Sequence, residues 1–67
     1  MKLYKYKLKA ANTQYDSDSE IIVADVSERK AVERAEDVTD CDLNIVVWYG
    51  LCDTFNEPCI VKNTFKR

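Results

Sequence analysis

Three lysines near the start of the chain have the spacing of a single charged face. Lys5, Lys7 and Lys9 alternate with apolar residues, and an extended chain directs alternate side chains to opposite sides. A row of ammonium groups can neutralise phosphates or carboxylates. Trp48, if it shares that face, could stack on a nucleic-acid base or anchor a protein interface.

Three roles are open for this lysine row. It could bind nucleic acid or dock on a protein. It could also remain in solvent and prevent an outer strand from aggregating, which is a common use of lysine. The net charge of −2 counts against nucleic acid. So does the lack of an aromatic pair among the lysines.

The residues that most enzymes use for catalysis are missing or scattered. The chain has no histidine, and its one glycine cannot build a phosphate-binding loop. Cys41, Cys52 and Cys59 lack a nearby base and the spacing of a zinc site. The sequence therefore predicts a protein that is not an enzyme and that uses no metal or other cofactor.

The odd number of cysteines indicates reduced thiols. Four lysines in the first nine residues interrupt any signal-peptide hydrophobic segment, and no apolar run is long enough to span a membrane. We therefore expect a cytoplasmic location in a host cell, no membrane partner and buried, reduced thiols. A Cys52–Cys59 disulfide that closes a hairpin loop is the alternative in an oxidising environment.

The length and the charge distribution favour binding by an exposed face. With 67 residues, the chain is expected to form one domain over residues 1–67 with a thin core, which cannot easily enclose a deep cavity. Both ends of the chain are basic, and all twelve acidic residues lie between Asp16 and Glu57. We therefore expect the surface of the domain to have a basic part, from the chain ends, and an acidic part, from the middle of the chain.

The first half of the chain predicts two strands and a helix. Alternation over 3–10 predicts a strand, the polar stretch 12–19 predicts a loop, and the β-branched stretch 20–26 predicts a second, antiparallel strand. Ser27 followed by Glu28 has the pattern of a helix N-terminus. An apolar stripe continues this helix as far as 39–42, where it should end.

The second half predicts two more strands. Residues 43–49 form the most strand-like run, Gly50 should end it, and 51–57 should form a turn or irregular hairpin that leads to a strand over 59–62. The expected fold is α+β: an antiparallel four-stranded sheet with one helix on one face, in the order β-β-α-β-β.

Strand alternation decides which side chains the helix covers. The expected main core consists of Leu8, Ala31, Val32, Ala35, Ile45 and Val47. The tyrosines of the first strand and Leu43 should also face the helix. The open face should then present the candidate partner-binding residues, which are Lys5, Lys7, Lys9, Val46 and Trp48.

Residues 20–35 resemble a unit found in small phage-encoded proteins. The stretch EIIVADVSERKAVERA combines a strand, a Ser-Glu helix cap and an Ala-x-x-x-Ala helix. It is similar to the corresponding unit of some anti-CRISPR proteins of β-β-α-β-β order, and it covers about a quarter of the chain. The resemblance implies a stoichiometric inhibitor that binds a CRISPR surveillance complex or nuclease, but it assigns a role to no individual residue.

The leading hypothesis is a phage or mobile-element protein that binds and inhibits a host CRISPR-Cas defence complex by occlusion, without catalysis. The partner would be a host protein or ribonucleoprotein complex. One alternative is a small nucleic-acid-binding or regulatory accessory protein that uses the lysine row. Another is a homodimeric interaction module whose open sheet face is covered by a second copy, which would bury Val46 and Trp48.

Overall fold

The computed structural model describes residues 2–11 and 19–65. The elements are β1 (Leu3–Ala10), β2 (Ile21–Asp25), α1 (Glu28–Thr39), β3 (Leu43–Cys52) and β4 (Cys59–Asn63). The strands form an antiparallel sheet in the order β3-β1-β2-β4. This confirms the predicted α+β class, the four-stranded antiparallel sheet and the order of elements. Most of the loop predicted for 12–19 lies outside the described residues.

The helix begins and ends where the sequence predicts. The Ser27 side chain accepts a hydrogen bond from the Lys30 N–H at 3.3 Å, which satisfies one of the free N–H groups of the first turn. Asp40 has a left-handed backbone (φ 59°), and its N–H donates to the Glu36 carbonyl at 2.7 Å. In the part of the chain that the structure describes, no helix is long and apolar enough to cross a membrane.

The core lies between α1 and one face of the sheet. Ala31 and Ala35 are fully buried against side chains of the two central strands, namely Tyr6, Leu8, Ile21 and Val23. Their small side chains let the helix lie close to the sheet. Val32 and Ile45, two other predicted core residues, are partly buried at the margin of this cluster.

β3 does not end at Gly50 as predicted. The strand continues through Gly50 to Cys52, and Gly50 has a φ of 89°. This positive φ suits glycine because other residues meet a steric penalty there. A glycine inside a strand commonly marks a bulge, and β3 has one at this point.

Two bulges change which side chains of β3 share a face. Relative to β1, the residues Val46 and Tyr49 have no pairing partner, because the register runs Leu8↔Ile45, Lys7↔Val47, Tyr6↔Trp48 and Lys5↔Gly50. Each inserted residue shifts the alternation by one position. Val47, predicted for the core, therefore lies opposite Lys7 and is 37% exposed. That prediction was wrong.

β3 and β4 are not the two arms of a hairpin. They lie on opposite edges of the sheet, so the connection 53–58 passes the ends of β1 and β2. Three inter-strand spacings, roughly 14 Å, separate the strands that carry Cys52 and Cys59, whereas a disulfide needs Cα atoms within about 7 Å. This strand order contradicts the alternative of a Cys52–Cys59 bridge. All three cysteines have free thiols and are partly buried rather than buried.

Candidate partner-binding surface

The sheet face opposite α1 carries the lysine row of β1. Tyr6 and Leu8 are buried in the core on the helix side, so the alternating residues Lys5, Lys7 and Lys9 lie on the other side. The structure thus brings the three predicted lysines together. Their role in partner binding stays a prediction.

Tyr49 is the aromatic residue that lies among these lysines. The ammonium nitrogen of Lys5 lies 4.9 Å from the centre of the Tyr49 ring, and that of Lys7 lies 6.0 Å from it. These distances are typical of cation–π interactions. Because Tyr49 is the inserted residue of the second bulge, strand alternation alone could not place it here.

Trp48 lies on the helix side of the sheet. It is paired with Tyr6, and its ring centroid is 6.5 Å from that of Tyr4. The bulge at Val46 causes this placement because it shifts the alternation between Ile45 and Trp48. The expectation that Trp48 shares a face with the lysines is therefore wrong. Val46, the inserted residue, is exposed.

Glu20 fixes the middle of the lysine row. One of its carboxylate oxygens lies 3.2 Å from the Lys7 ammonium, and the other lies 3.7 Å from the Lys62 ammonium of β4. The pKa of Lys7 is raised, mainly by a hydrogen bond to Tyr49 and next by the hydrogen bond to Glu20. The same hydrogen bond from Lys7 lowers the pKa of Glu20. Both groups are therefore charged near neutral pH. We call Lys5, Lys7, Lys9, Tyr49 and Lys62 the lysine face.

The free edge of β3 is apolar on both sides of the sheet. On the helix side, Trp48 and Leu51 are each 62% exposed, and on the side that carries the lysines Val47 and Tyr49 are 37% and 44% exposed. No charged residue occurs between Leu43 and Cys52. Sequence reasoning singled out Val46 and Trp48 but missed the others. We call Val46, Val47, Trp48, Tyr49 and Leu51 the apolar edge.

An open groove of about 720 Å³ lies between α1 and β4. The buried carboxylate of Asp25 lies in its lining and receives two hydrogen bonds, from the Val26 N–H at 2.7 Å and from the Arg34 guanidinium at 2.9 Å. Across residues 2–11 and 19–65, no buried side-chain nitrogen or oxygen lacks a hydrogen-bond partner. The groove therefore presents no buried polar side chain in need of a ligand.

The lysine face and the apolar edge supply charge, one aromatic ring and exposed apolar area, which are the features that proteins use to recognise partners. Within the described ranges, no three acidic or cysteine side chains come together as a metal site. No family model matches the chain, and nothing matches it among curated proteins or solved structures.

Proposed function

We propose that this chain is a small binding protein whose lysine face occupies an acidic surface of a larger partner, without chemistry of its own. The observation that carries the proposal is the arrangement of Lys5 and Lys7 around Tyr49, with Lys7 also held by Glu20. Side chains that are already held in place lose less conformational entropy when a partner binds. The face is therefore better prepared for binding than a row of freely moving lysines.

The partner to test first is a CRISPR-Cas effector complex of a host cell. The resemblance of residues 20–35 to small phage-encoded proteins supports this choice. A basic face of this size would act by occlusion, because electrostatic complementarity guides the encounter and the bound domain then blocks the surface beneath it. The chain would then be a phage or mobile-element inhibitor that works in the host cytoplasm.

Two charge-reversal variants can separate the lysine face from the rest of the surface. Lys5→Glu/Lys9→Glu alters the lysine face but keeps the Lys7–Glu20 pair, whereas Arg29→Glu/Lys30→Glu alters exposed cations of α1 that contact Glu33. Each replacement lowers the charge by two, so both variants change the net charge equally. Circular dichroism should first confirm that both are folded.

The readouts are capture of a purified effector complex and inhibition of its cleavage of target DNA. The proposal expects the helix variant to bind and inhibit like the wild type, while the lysine-face variant loses affinity at least about tenfold, which is about 1.4 kcal/mol. Equal capture and equal inhibition by the two variants would show that the lysine face is ordinary solvated surface.

One observation favours a single-stranded nucleic acid as a second candidate ligand. A base could stack on Tyr49 while neighbouring lysines neutralise its phosphates. Three neutralised phosphates would give a log–log salt slope of about −2 for a labelled oligonucleotide. A dissociation constant that changes little with salt, or no binding at all, would leave the protein partner as the ligand of this face.

A further inference from the structure

We infer that the free edge of β3 docks against β3 of a second copy of this chain, so that two sheets join into one. This inference does not depend on the function proposed for the lysine face. It starts from the apolar edge, whose exposed side chains lie on both faces of one edge strand. A partner packed on one face of the sheet would cover only half of them. A neighbour in the plane of the sheet contacts both halves.

The two free edges of the sheet differ in how they are protected. β4 has five residues and carries Lys62, whereas β3 has ten residues and no charged side chain. Proteins commonly guard exposed edges with short strands and lysines, because an unguarded apolar edge pairs with other chains. β4 has both of these protections and β3 has neither, while bulges, a third form of protection, occur in both strands. This contrast favours β3 as the edge that is covered.

A pairing centred on Trp48 is self-complementary. Two antiparallel β3 strands related by a twofold axis through the sheet keep each side chain on its own face. Val47 then lies opposite Tyr49 of the second copy, both on the side of the sheet that carries the lysines. On the helix side, Ile45 lies opposite Leu51 of the second copy. With no charged residue in β3, this pairing places no like charges opposite one another.

The apolar edge is large enough to support such a pair. Its five residues expose roughly 500 Å² per copy, so a twofold pair can bury at most roughly 1,000 Å² of this area, which is at the low end for protein interfaces and is typical of a weak dimer. The two bulges twist β3 and shorten the stretch that can form a regular ladder. Side-chain burial around Trp48 should therefore contribute most of the association.

The test measures the mass of the full chain by sedimentation and light scattering over a series of concentrations. The chain mass is 7.8 kDa, and the wild type is expected to reach twice that value at high concentration. Val47→Lys and Leu51→Lys place a charge on opposite faces of the same edge, and each should weaken dimerisation at least about tenfold. Val61→Lys is the matched control, because Val61 is also 37% exposed but lies on β4.

The inference is supported if the wild type and Val61→Lys dimerise equally, while the two folded β3 variants dimerise at least about tenfold more weakly. Trp48, the only tryptophan, should show a fluorescence shift to shorter wavelength as the wild type dimerises. A wild type that stays monomeric at every concentration would overturn the inference. This holds even if β3 is then found to pair with a strand of a different protein. Loss of the dimer in only one of the two β3 variants, or in Val61→Lys as well, would also overturn it.

Discussion

Replacing Leu8 with alanine should remove a large share of the stability of this domain. Leu8 is completely buried between α1 and the sheet. The substitution deletes three buried carbon atoms, which corresponds to about 2.4 kcal/mol of lost transfer free energy. The cavity that remains raises the cost to about 3–4 kcal/mol. Chains of this length have a total free energy of unfolding of only about 3–10 kcal/mol.

Ile45→Ala is the matched comparison, because it also deletes three carbon atoms and Ile45 lies directly opposite Leu8 in the register. Ile45 is only partly buried, so its replacement should cost about 1–2 kcal/mol. Urea unfolding, followed by circular dichroism at a low concentration where association contributes little, gives both values. With a urea dependence of about 1 kcal/mol per molar, Leu8→Ala should lower the midpoint by about 3–4 M. An Ile45→Ala variant that loses as much stability as Leu8→Ala would refute the placement of Ile45 at the margin of the core.

Three further substitutions test other parts of the structure by the same unfolding measurement. Glu20→Gln should reduce the loss of stability in acid. Folding lowers the pKa of Glu20 from 4.5, so the ionised carboxylate stabilises the fold above pH 4.5 and this stabilisation disappears as the pH falls through the pKa of the folded state. A variant as acid-sensitive as the wild type would contradict this. Arg34→Met should cost about 1–3 kcal/mol because it leaves the buried Asp25 carboxylate without its ion pair, whereas the exposed Arg29→Met should change stability by less than about 0.5 kcal/mol. Replacement of all three cysteines with serine should preserve the fold, and thiol labelling of the wild type should find no Cys52–Cys59 disulfide, since detection of that bridge would contradict the strand order.

The sequence predicted those elements whose signals are local. Alternation over eight residues identified β1 with the bounds that the structure has, and Ser27 with Glu28 identified the start of α1. Both signals depend on neighbouring residues alone, through side-chain alternation and capping of free N–H groups. The common face of Lys5, Lys7 and Lys9 followed from the same alternation, because Tyr6 and Leu8 between them are buried on the helix side.

The faces of β3 could not be obtained in this way. Side chains alternate strictly only in a regular strand, and two inserted residues interrupt β3 between Ile45 and Gly50. The bulge at Tyr49 has a signal, because a glycine within an apolar strand often marks one, but a glycine also often ends a strand, as the sequence predicts for Gly50. The bulge at Val46 had none, since its neighbours are all strong strand formers. The strand order is also a tertiary property: β3 pairs with β1 because their apolar faces complete the core under α1.

The two proposed surfaces share Tyr49, but a change at Leu51 tests the apolar edge alone because Leu51 and the lysines lie on opposite sides of the sheet. In the edge-paired dimer, the twofold axis keeps both lysine faces on the same side, with the two β1 strands three spacings, or roughly 14 Å, apart. Two basic rows on one surface would bind a long acidic surface with higher avidity than one row. Leu51→Lys weakens the dimer and so separates the second lysine row from the first, whose residues are unchanged. A weaker partner interaction in this variant would show that the dimer is the form that binds. Unchanged partner binding by a monomeric Leu51→Lys variant would instead show that one lysine face is sufficient.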